Sequence, residues 1–378
     1  MIKWLSAIAV TLFIFGCKKV FEPAGALENT SKYLVIEGVI NSGGDSTFIR
    51  LSRTKKFGPG VKPDPETNAQ LTIESDASAN YPLFEVRPGI YSAAPINLDN
   101  VHKYRLRIKT TDSKEYLSDY VAVKNSPAID SIGYTAKAEG IVIYANTHDD
   151  ANATKYYRWE FNEDWQFQTF YESFLLGDES RHICYASDTS GAILIASSTK
   201  LTNDVIYQNP IASIPGTSEK IETKYTIMVR QYALTGDAYN FWLSLQKNTD
   251  RLGSIFDAQP STNLSNYHCL TNPNELVVGY LSAGSVATKR IYISSSQLLA
   301  SYHVQYPYGC SLDTAFYYHA PFYTDPTVVG PAAGTTGVGP YYVIPLAPFG
   351  GPNYITYSKT TCVDCTIRGK LKPPPYWR

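Results

Sequence analysis

The sequence predicts a mainly β protein with two β-sandwich-like (immunoglobulin-like) domains, the second larger, with one packed amphipathic helix and long loops. The composition is the first reason, because 30 tyrosines and only 18% charged residues suit pleated surfaces that accommodate aromatic side chains. The length is the second, since 378 residues exceed one small sandwich and favour two cores. The third is the pattern: short apolar segments bounded by Gly, Pro and Asn follow one another, and a long helical periodicity occurs in a single stretch.

The N-terminal stretch predicts an exported, lipid-anchored protein. Residues 1–17 have the form of a lipoprotein signal peptide, in which a lysine precedes an apolar run that ends in a lipobox-like Gly16-Cys17. The run is too short for a comfortable transmembrane helix. Cleavage would make Cys17 the lipid attachment residue, and several acyl chains anchor a protein stably where one does not. We expect residues 18–31 to form a polar tether. The alternative is an ordinary secretory signal with an incidental cysteine.

Residues 32–125 predict an N-terminal immunoglobulin-like β-sandwich of about seven strands. Tyr33–Ile40 and Thr47–Ser52 are predicted strands that the turn NSGGD separates. In His102–Lys109 the alternation is strict, with apolar residues on one face and basic residues on the other. Such a cationic face could bind an anionic ligand, but a solvated face that protects a sheet edge explains it better.

Residues 126–378 predict a larger β-rich domain with a helix near residues 236–250. Four apolar residues of that helix recur at i, i+3, i+4 and i+7, at Ala238, Phe241, Trp242 and Leu245. Thr235 is placed to cap the helix. We expect Trp242 to be buried where the helix packs on a sheet.

A Pro/Gly-rich loop is predicted at residues 325–353. It is longer than compact domains normally tolerate without a purpose. Its aromatic residues, and one just beyond it, are candidates for binding contacts: Tyr341, Tyr342, Phe349 and Tyr354. Either the loop contacts a ligand or a partner protein, which its aromatic residues favour, or it is an insertion without a role, which its glycines favour.

The cysteines after the lipobox predict disulfides, because the exported compartment is oxidising. The candidates are Cys269, Cys310, Cys362 and Cys365. The last two have C-x-x-C spacing, but the residues that follow predict strand and turn, whereas a thioredoxin-like site needs a helix there. No second ligand pair for zinc accompanies them. We expect one of these two to bond to Cys310 or Cys269, and at least one cysteine of the chain to stay free.

The sequence motifs indicate no enzyme. Ser197 and Lys200 have S-x-x-K spacing, but GAILIASSTK predicts a strand and a loop, whereas this chemistry needs a helix start. GYLSAG lacks the spacing of a nucleophile elbow, and GTTGVG lacks the lysine of a phosphate loop. The six histidines have no metal-ligand spacing, and a net charge of -1 offers no basic field for nucleic acid. We therefore expect no catalytic residues, no cofactor, no metal and no nucleic-acid partner.

Five segments of the chain carry a family resemblance. In order they are YLVIEGVIN, YTIMVRQYALTGDAYNFW, GSIFDAQPSTNLSN, ELVVGYLSAGSVATKRIYI and CVDCTIRGKLKPPPYW. They resemble a Bacteroidota lipoprotein family catalogued as domain of unknown function 4249. The resemblance implies a lipoprotein that accompanies a TonB-dependent outer-membrane receptor, an association that rests on analogy.

We therefore expect a non-enzymatic binding or accessory protein, lipid-anchored at the cell outer membrane, on a periplasmic or surface face. The abundant tyrosine favours a peptide or glycan ligand. The alternatives are a structural or adhesive cell-envelope lipoprotein without a transporter and, third, an envelope hydrolase.

Overall fold

The computed structural model describes residues 32–55, 63–172, 181–250, 265–311, 313–316 and 354–377. The protein is mainly β, with several sheets arranged in a sandwich-like way, which confirms the predicted fold class. In the described residues the α-helices are α1 (Gly236–Asp250) and α2 (Thr360–Val363). Neither of them is long and apolar enough to cross a membrane.

In chain order, the strands of the described residues are β1 (Leu34–Asn41), β2 (Thr47–Arg53), β3 (Asp64–Pro65), β4 (Gln70–Ser75), β5 (Asn80–Arg87), β6 (Ile90–Ala93), β7 (Lys103–Lys109), β8 (Glu115–Ser118), β9 (Val121–Ala122), β10 (Ile129–Lys137), β11 (Gly140–Asp149), β12 (Tyr156–Gln168), β13 (Ile183–Thr189), β14 (Leu194–Ser197), β15 (Asp204–Pro215), β16 (Lys224–Ala233), β17 (Tyr267–Cys269), β18 (Val277–Val278), β19 (Ser282–Gly284), β20 (Val286–Ser294), β21 (Asp313–Phe316) and β22 (Tyr354–Tyr357).

The first unit is a sandwich-like arrangement of β1 to β9 with β17 to β19. The strands follow the order β17-β8-β7-β4-β5-β6-β2-β1-β18, with β3, β9 and β19 beside β2, β7 and β1. Strand β5 joins the two layers, because its first half pairs with β4 and its second half with β6. The inward residues of both layers meet in one hydrophobic cluster that includes Ile36, Leu51, Ile73 and Leu106.

The sequence predicted that all of residues 126–378 belong to the second domain, but strands β17 to β19 of that range belong to the first unit. β18 and β19 pair in parallel with β1, and β17 pairs with β8, so residues 265–284 complete the first unit. Local patterns do not reveal a parallel pairing between segments so far apart in sequence. Gly279 permits the close approach, since its φ is +135° and a Cβ there would lie 2.2 Å from the carbonyl oxygen of Ile36.

The second unit packs a three-stranded sheet against a five-stranded one. The first has the order β10-β11-β15, and the second has the order β13-β12-β16-β20 with β14 beside β12. A second hydrophobic cluster fills the space between them, and Trp159 of β12 is 1% exposed in it. The outward face of the five-stranded sheet is polar and aromatic, and it positions the candidate site.

A buried glutamine fastens the connection between the units. Gln231 of β16 is fully buried, and its Oε1 accepts a hydrogen bond from Trp159 Nε1 at 2.9 Å. Its Nε2 donates to the carbonyl oxygen of Pro127 and to Oγ1 of Thr147, both at 3.0 Å. The segment between the units is therefore held to the core of the second unit.

Helix α1 begins and ends where the sequence predicts. Thr235 caps it, because its Oγ1 accepts a hydrogen bond from the backbone N–H three residues on, at 3.2 Å. Phe241 is 7% exposed, and its ring lies 5.1 Å from that of Tyr280, in the first unit. Trp242, which we expected to be buried, is only partly so. It covers the guanidinium of Arg158 at 4.2 Å on the outer face of the sheet and does not enter the core.

Candidate functional site

Two disulfides hold the end of the described chain. Cys362 pairs with Cys310, one of the partners that the sequence offered, and Cys365 pairs with Cys184. Cys184 was not among the candidates, because nothing local links β13 to a cysteine so distant in sequence. The candidate Cys269 is instead free and buried. The reason is that β17, which carries it, belongs to the first unit, whereas the four bonded cysteines belong to the second.

The tail segment, defined as residues 365–377, lies along one edge and the outer face of the five-stranded sheet. Lys370 exchanges two backbone hydrogen bonds with Tyr185 of β13, at 2.8 and 2.9 Å. The rings of Trp377 and Tyr185 meet edge to face with their centroids 5.1 Å apart. Together with the disulfide of Cys365, these contacts fix the tail segment on the sheet.

The tail segment and the sheet border an open cleft. The hydroxyl of Tyr376 donates to Asp164 Oδ2 at 2.8 Å, and the guanidinium of Arg290 lies over the tyrosine ring at 3.9 Å. Tyr292 donates to the carbonyl oxygen of Tyr376 at 2.7 Å. With Pro375, the residues Arg290, Tyr292 and Tyr376 line a cleft of about 430 Å³. Because hydrogen bonds hold each wall, the cleft is formed before any ligand arrives.

Asp164 is the buried anchor of this cleft. It is 3% exposed, and Ser187 donates to its Oδ1 at 2.7 Å. Burial first, and then the hydrogen bond to Asp164, raise the pKa of the Tyr376 hydroxyl. The hydroxyl therefore remains a neutral donor at physiological pH.

A stack of aromatic and charged groups bounds the opposite end of the outer face. Arg158 is 8% exposed and lies between the rings of Tyr232, at 4.6 Å, and Trp242. Its Nη1 donates to Glu160 at 2.7 Å, and Tyr232 donates to the same carboxylate at 2.9 Å. Burial would raise the pKa of Glu160, but the charge of Arg158 and these hydrogen bonds outweigh it and hold that pKa below its usual value.

We call the surface between the two ends the outer groove. Its floor consists of the outward residues of β12, β16 and β20, which the strand register places in adjacent rows: Arg158, Glu160, Asn162, Asp164, Thr226, Met228, Arg230, Tyr232, Thr288, Arg290 and Tyr292. From Arg158 to Asp164 the groove is about 20 Å long at the usual rise of a strand. Rigid rings at both ends and bonded charges between them form a surface suited to recognition.

The cationic face predicted in the first unit is neutralised in part, at its two arginines. Glu74 of β4 pairs with Arg105 at 2.7 Å and with Arg107 at 2.5 Å, and Arg107 also pairs with Glu115. These ion pairs favour the solvated-face interpretation over an anion site.

Four of the predicted site residues lie outside the described part of the chain. These are Cys17, Tyr341, Tyr342 and Phe349. Tyr354 begins β22, which pairs with β21. The lipid attachment and the binding role of the 325–353 loop therefore stay predictions.

The described ranges of the chain hold no candidate metal centre, because no group of three or more His, Cys, Asp or Glu within them is placed to hold an ion. The S-x-x-K pair also lacks the helix that its chemistry needs. Ser197 ends β14, and Lys200 follows in a turn.

Sequence patterns did not reveal the residues that line the cleft. Arg290 and Tyr292 were visible as alternating residues of KRIYIS, which places them on one face of a strand. Tyr376 follows three prolines, and its contact with β20 depends on the disulfides upstream. No local signal brings that tyrosine to the sheet.

The described fold defines a mainly β, sandwich-like protein of two units. Strands from late in the chain, β17 to β19, complete the first unit. The chain belongs to the family described as Domain of unknown function (DUF4249), whose profile matches residues 22–290. The match ends at Arg290, so it includes most of the groove floor and leaves out the tail segment. No curated protein matches the chain.

Proposed function

We propose that this protein is a lipoprotein of the cell outer membrane that binds a peptide or glycan without turning it over. In this proposal it is an accessory of a TonB-dependent transporter system. The observation that carries the proposal is the preformed outer groove, whose aromatic ends are fixed by disulfides and by hydrogen bonds to buried groups. Preorganisation of this kind reduces the entropic cost of binding. Tyrosine and tryptophan supply rigid contact area with a polar handle.

The state of the two carboxylates supports binding over catalysis. A general acid or base needs a free carboxyl whose pKa lies near the working pH. Asp164 already accepts hydrogen bonds from Ser187 and Tyr376. Glu160 is bonded to Arg158 and Tyr232, and its pKa lies below its usual value. Both groups are therefore engaged in holding rings and arginines in place.

An exposed apolar row on the first unit supports a protein partner. Phe48 of β2 and Phe84 of β5 are 52% and 69% exposed. They flank Ser92 of β6 on the outer side of three adjacent strands. Two exposed phenylalanines in one row across three strands are typical of an interaction surface. A transporter that receives the bound ligand is the partner we propose for this row.

Native co-purification tests the proposal. Wild-type protein, Phe48→Ser with Phe84→Ser, and Cys17→Ala are each extracted from their own membranes, and the bound proteins are identified by mass spectrometry. We expect a TonB-dependent receptor with the wild type, much less of it with the double variant, and loss of Cys17→Ala from the membrane fraction. Membrane protein that carries no receptor would favour the structural or adhesive alternative. Turnover of a peptide or glycan by the purified protein would favour the hydrolase.

A further inference from the structure

The outer face of the five-stranded sheet has an excess of positive charge. Its outward side chains include four basic groups and two acidic ones, namely Arg158, Lys224, Arg230 and Arg290 against Glu160 and Asp164. The two acidic groups are bonded within the protein, as described above. Since charge complementarity selects and steers ligands, this excess favours an anionic one.

Arg290 presents N–H donors at the cleft. Its Nη1 donates to Thr226 Oγ1 at 3.2 Å and lies 3.5 Å from Asp164 Oδ2. The hydrogen bonds that this guanidinium makes to Thr226 and Asp164 both come from Nη1, and its interaction with the Tyr376 hydroxyl partly offsets the rise that burial causes in the pKa of that tyrosine. The side chain is 17% exposed, and stacking on Tyr376 fixes the plane of the guanidinium. The Nε–Nη2 edge offers two parallel N–H donors, the fork that matches a carboxylate.

The aromatic rings of the cleft indicate which class of anionic ligand it binds. Tyr376 remains 41% exposed although Arg290 covers one of its faces. An exposed ring face is electron-rich and attracts the polarised C–H groups of a sugar ring. A peptide that binds by adding a strand to the sheet would instead need a free strand edge. In the described residues β13 is bonded to Lys370 at one edge, and at the other edge β20 lies beside β10, whose backbone carbonyls accept hydrogen bonds from the side chain of Lys289.

We propose that this cleft binds a carboxylate-bearing sugar, a uronic acid unit of an acidic glycan. Arg290 takes the carboxylate, and the open face of Tyr376 takes the sugar ring. The volume of about 430 Å³ lies within the range of small-ligand sites. This inference rests on the proposed binding function and names its ligand class.

Titration calorimetry of the mature full chain tests the inference. The probes are a short oligogalacturonate, its methyl ester, a neutral oligogalactan, and a tyrosine-terminated peptide with a free carboxylate. We expect the oligogalacturonate to bind, and the ester and the neutral sugar to bind about tenfold or more weakly, as for a lost charge-assisted contact. Arg290→Gln should weaken binding of the acid by a similar factor. Ser213→Ala, an exposed change on β15 of the other sheet, should leave it unchanged.

A second variant separates loss of the site from loss of the fold. Tyr376→Phe keeps the ring and should retain most of the affinity, whereas Tyr376→Ala should lose it. Both variants remove the hydrogen bond to Asp164, so the loss of stability from that bond is common to the two and does not explain a difference in affinity. Equal binding of the ester, wild-type affinity in Arg290→Gln, tighter binding of the peptide, or binding of none of the probes would each overturn the inference. A receptor captured by protein that does not bind uronate would leave the proposed function standing. Uronate binding by protein that captures no receptor would leave the inference standing and would overturn the transporter part of the proposed function.

Discussion

Replacing Gln231 by alanine should destabilise the second unit by an amount that its hydrogen bonds set. The substitution leaves Trp159 Nε1 without its acceptor, and no other bond to that indole nitrogen exists in the described residues. A stranded buried donor costs about 1–3 kcal/mol, and the lost methylene adds about 0.8 kcal/mol. Pro127 and Thr147 keep other hydrogen-bond partners in the variant, so the loss of their bonds to Gln231 adds little to the cost. We expect a total loss of about 2–4 kcal/mol in the free energy of unfolding.

Urea unfolding followed by tryptophan fluorescence measures this loss. Gln70→Ala, at an exposed strand position of the first unit, is the control and should change stability by less than about 0.5 kcal/mol. Gln231→Glu keeps the acceptor for Trp159 but removes the donor and buries a carboxyl. Burial raises the pKa of that carboxyl above its unfolded value, so this variant should lose stability as the pH rises through the folded pKa. An alanine variant as stable as the control would refute the view that Gln231 fastens the connection.

Three further predictions concern particular side chains and are measured by denaturant unfolding. Trp159→Ala should cost about 3–5 kcal/mol and Trp242→Ala about 1–2 kcal/mol, because only the first is a core residue; equal losses would contradict this. Gly284→Ala should prevent stable folding, since its Cβ would lie 1.8 Å from a backbone carbonyl oxygen, whereas Gly44→Ala meets open space and should be tolerated. Burial would raise the pKa of Glu275, but hydrogen bonds from a lysine and a tyrosine lower it. The ionised carboxylate of Glu275 therefore contributes to the free energy of unfolding above its unfolded pKa. The difference in that free energy between wild type and Glu275→Gln should disappear as the pH falls below about 4.

The helix and the alternation of the strands were predictable because each depends on residues close in sequence. The spacing of Ala238 and Phe241 marks the buried side of α1, and both residues are buried. The position of Trp242 was not predictable, because it depends on Arg158, which belongs to strand β12 and lies beneath the ring of the tryptophan. The same helical spacing is compatible with a core or with a surface stack.

The site was less predictable than the fold, because its parts come from distant segments. Cys184 and Cys365 lie 181 residues apart, and spacing alone does not determine connectivity among several cysteines. The pairing of these two holds the tail segment where Tyr376 can reach Asp164 and Arg290. The parallel pairing of β1 with β18 and β19 was not predictable either, because the paired segments are also far apart in sequence.

A photo-cross-linking residue placed on the outer groove tests the central claim most directly. It would replace Thr288, which is exposed on the groove floor, and as a control Ser213, exposed on β15 of the other sheet. The full-length protein is irradiated in its native cells, and its adducts are identified by mass spectrometry. We predict an adduct with a ligand or partner from position 288 and none from position 213. Adducts from position 213 alone, or from neither position, would contradict the assignment of the outer groove as the binding surface.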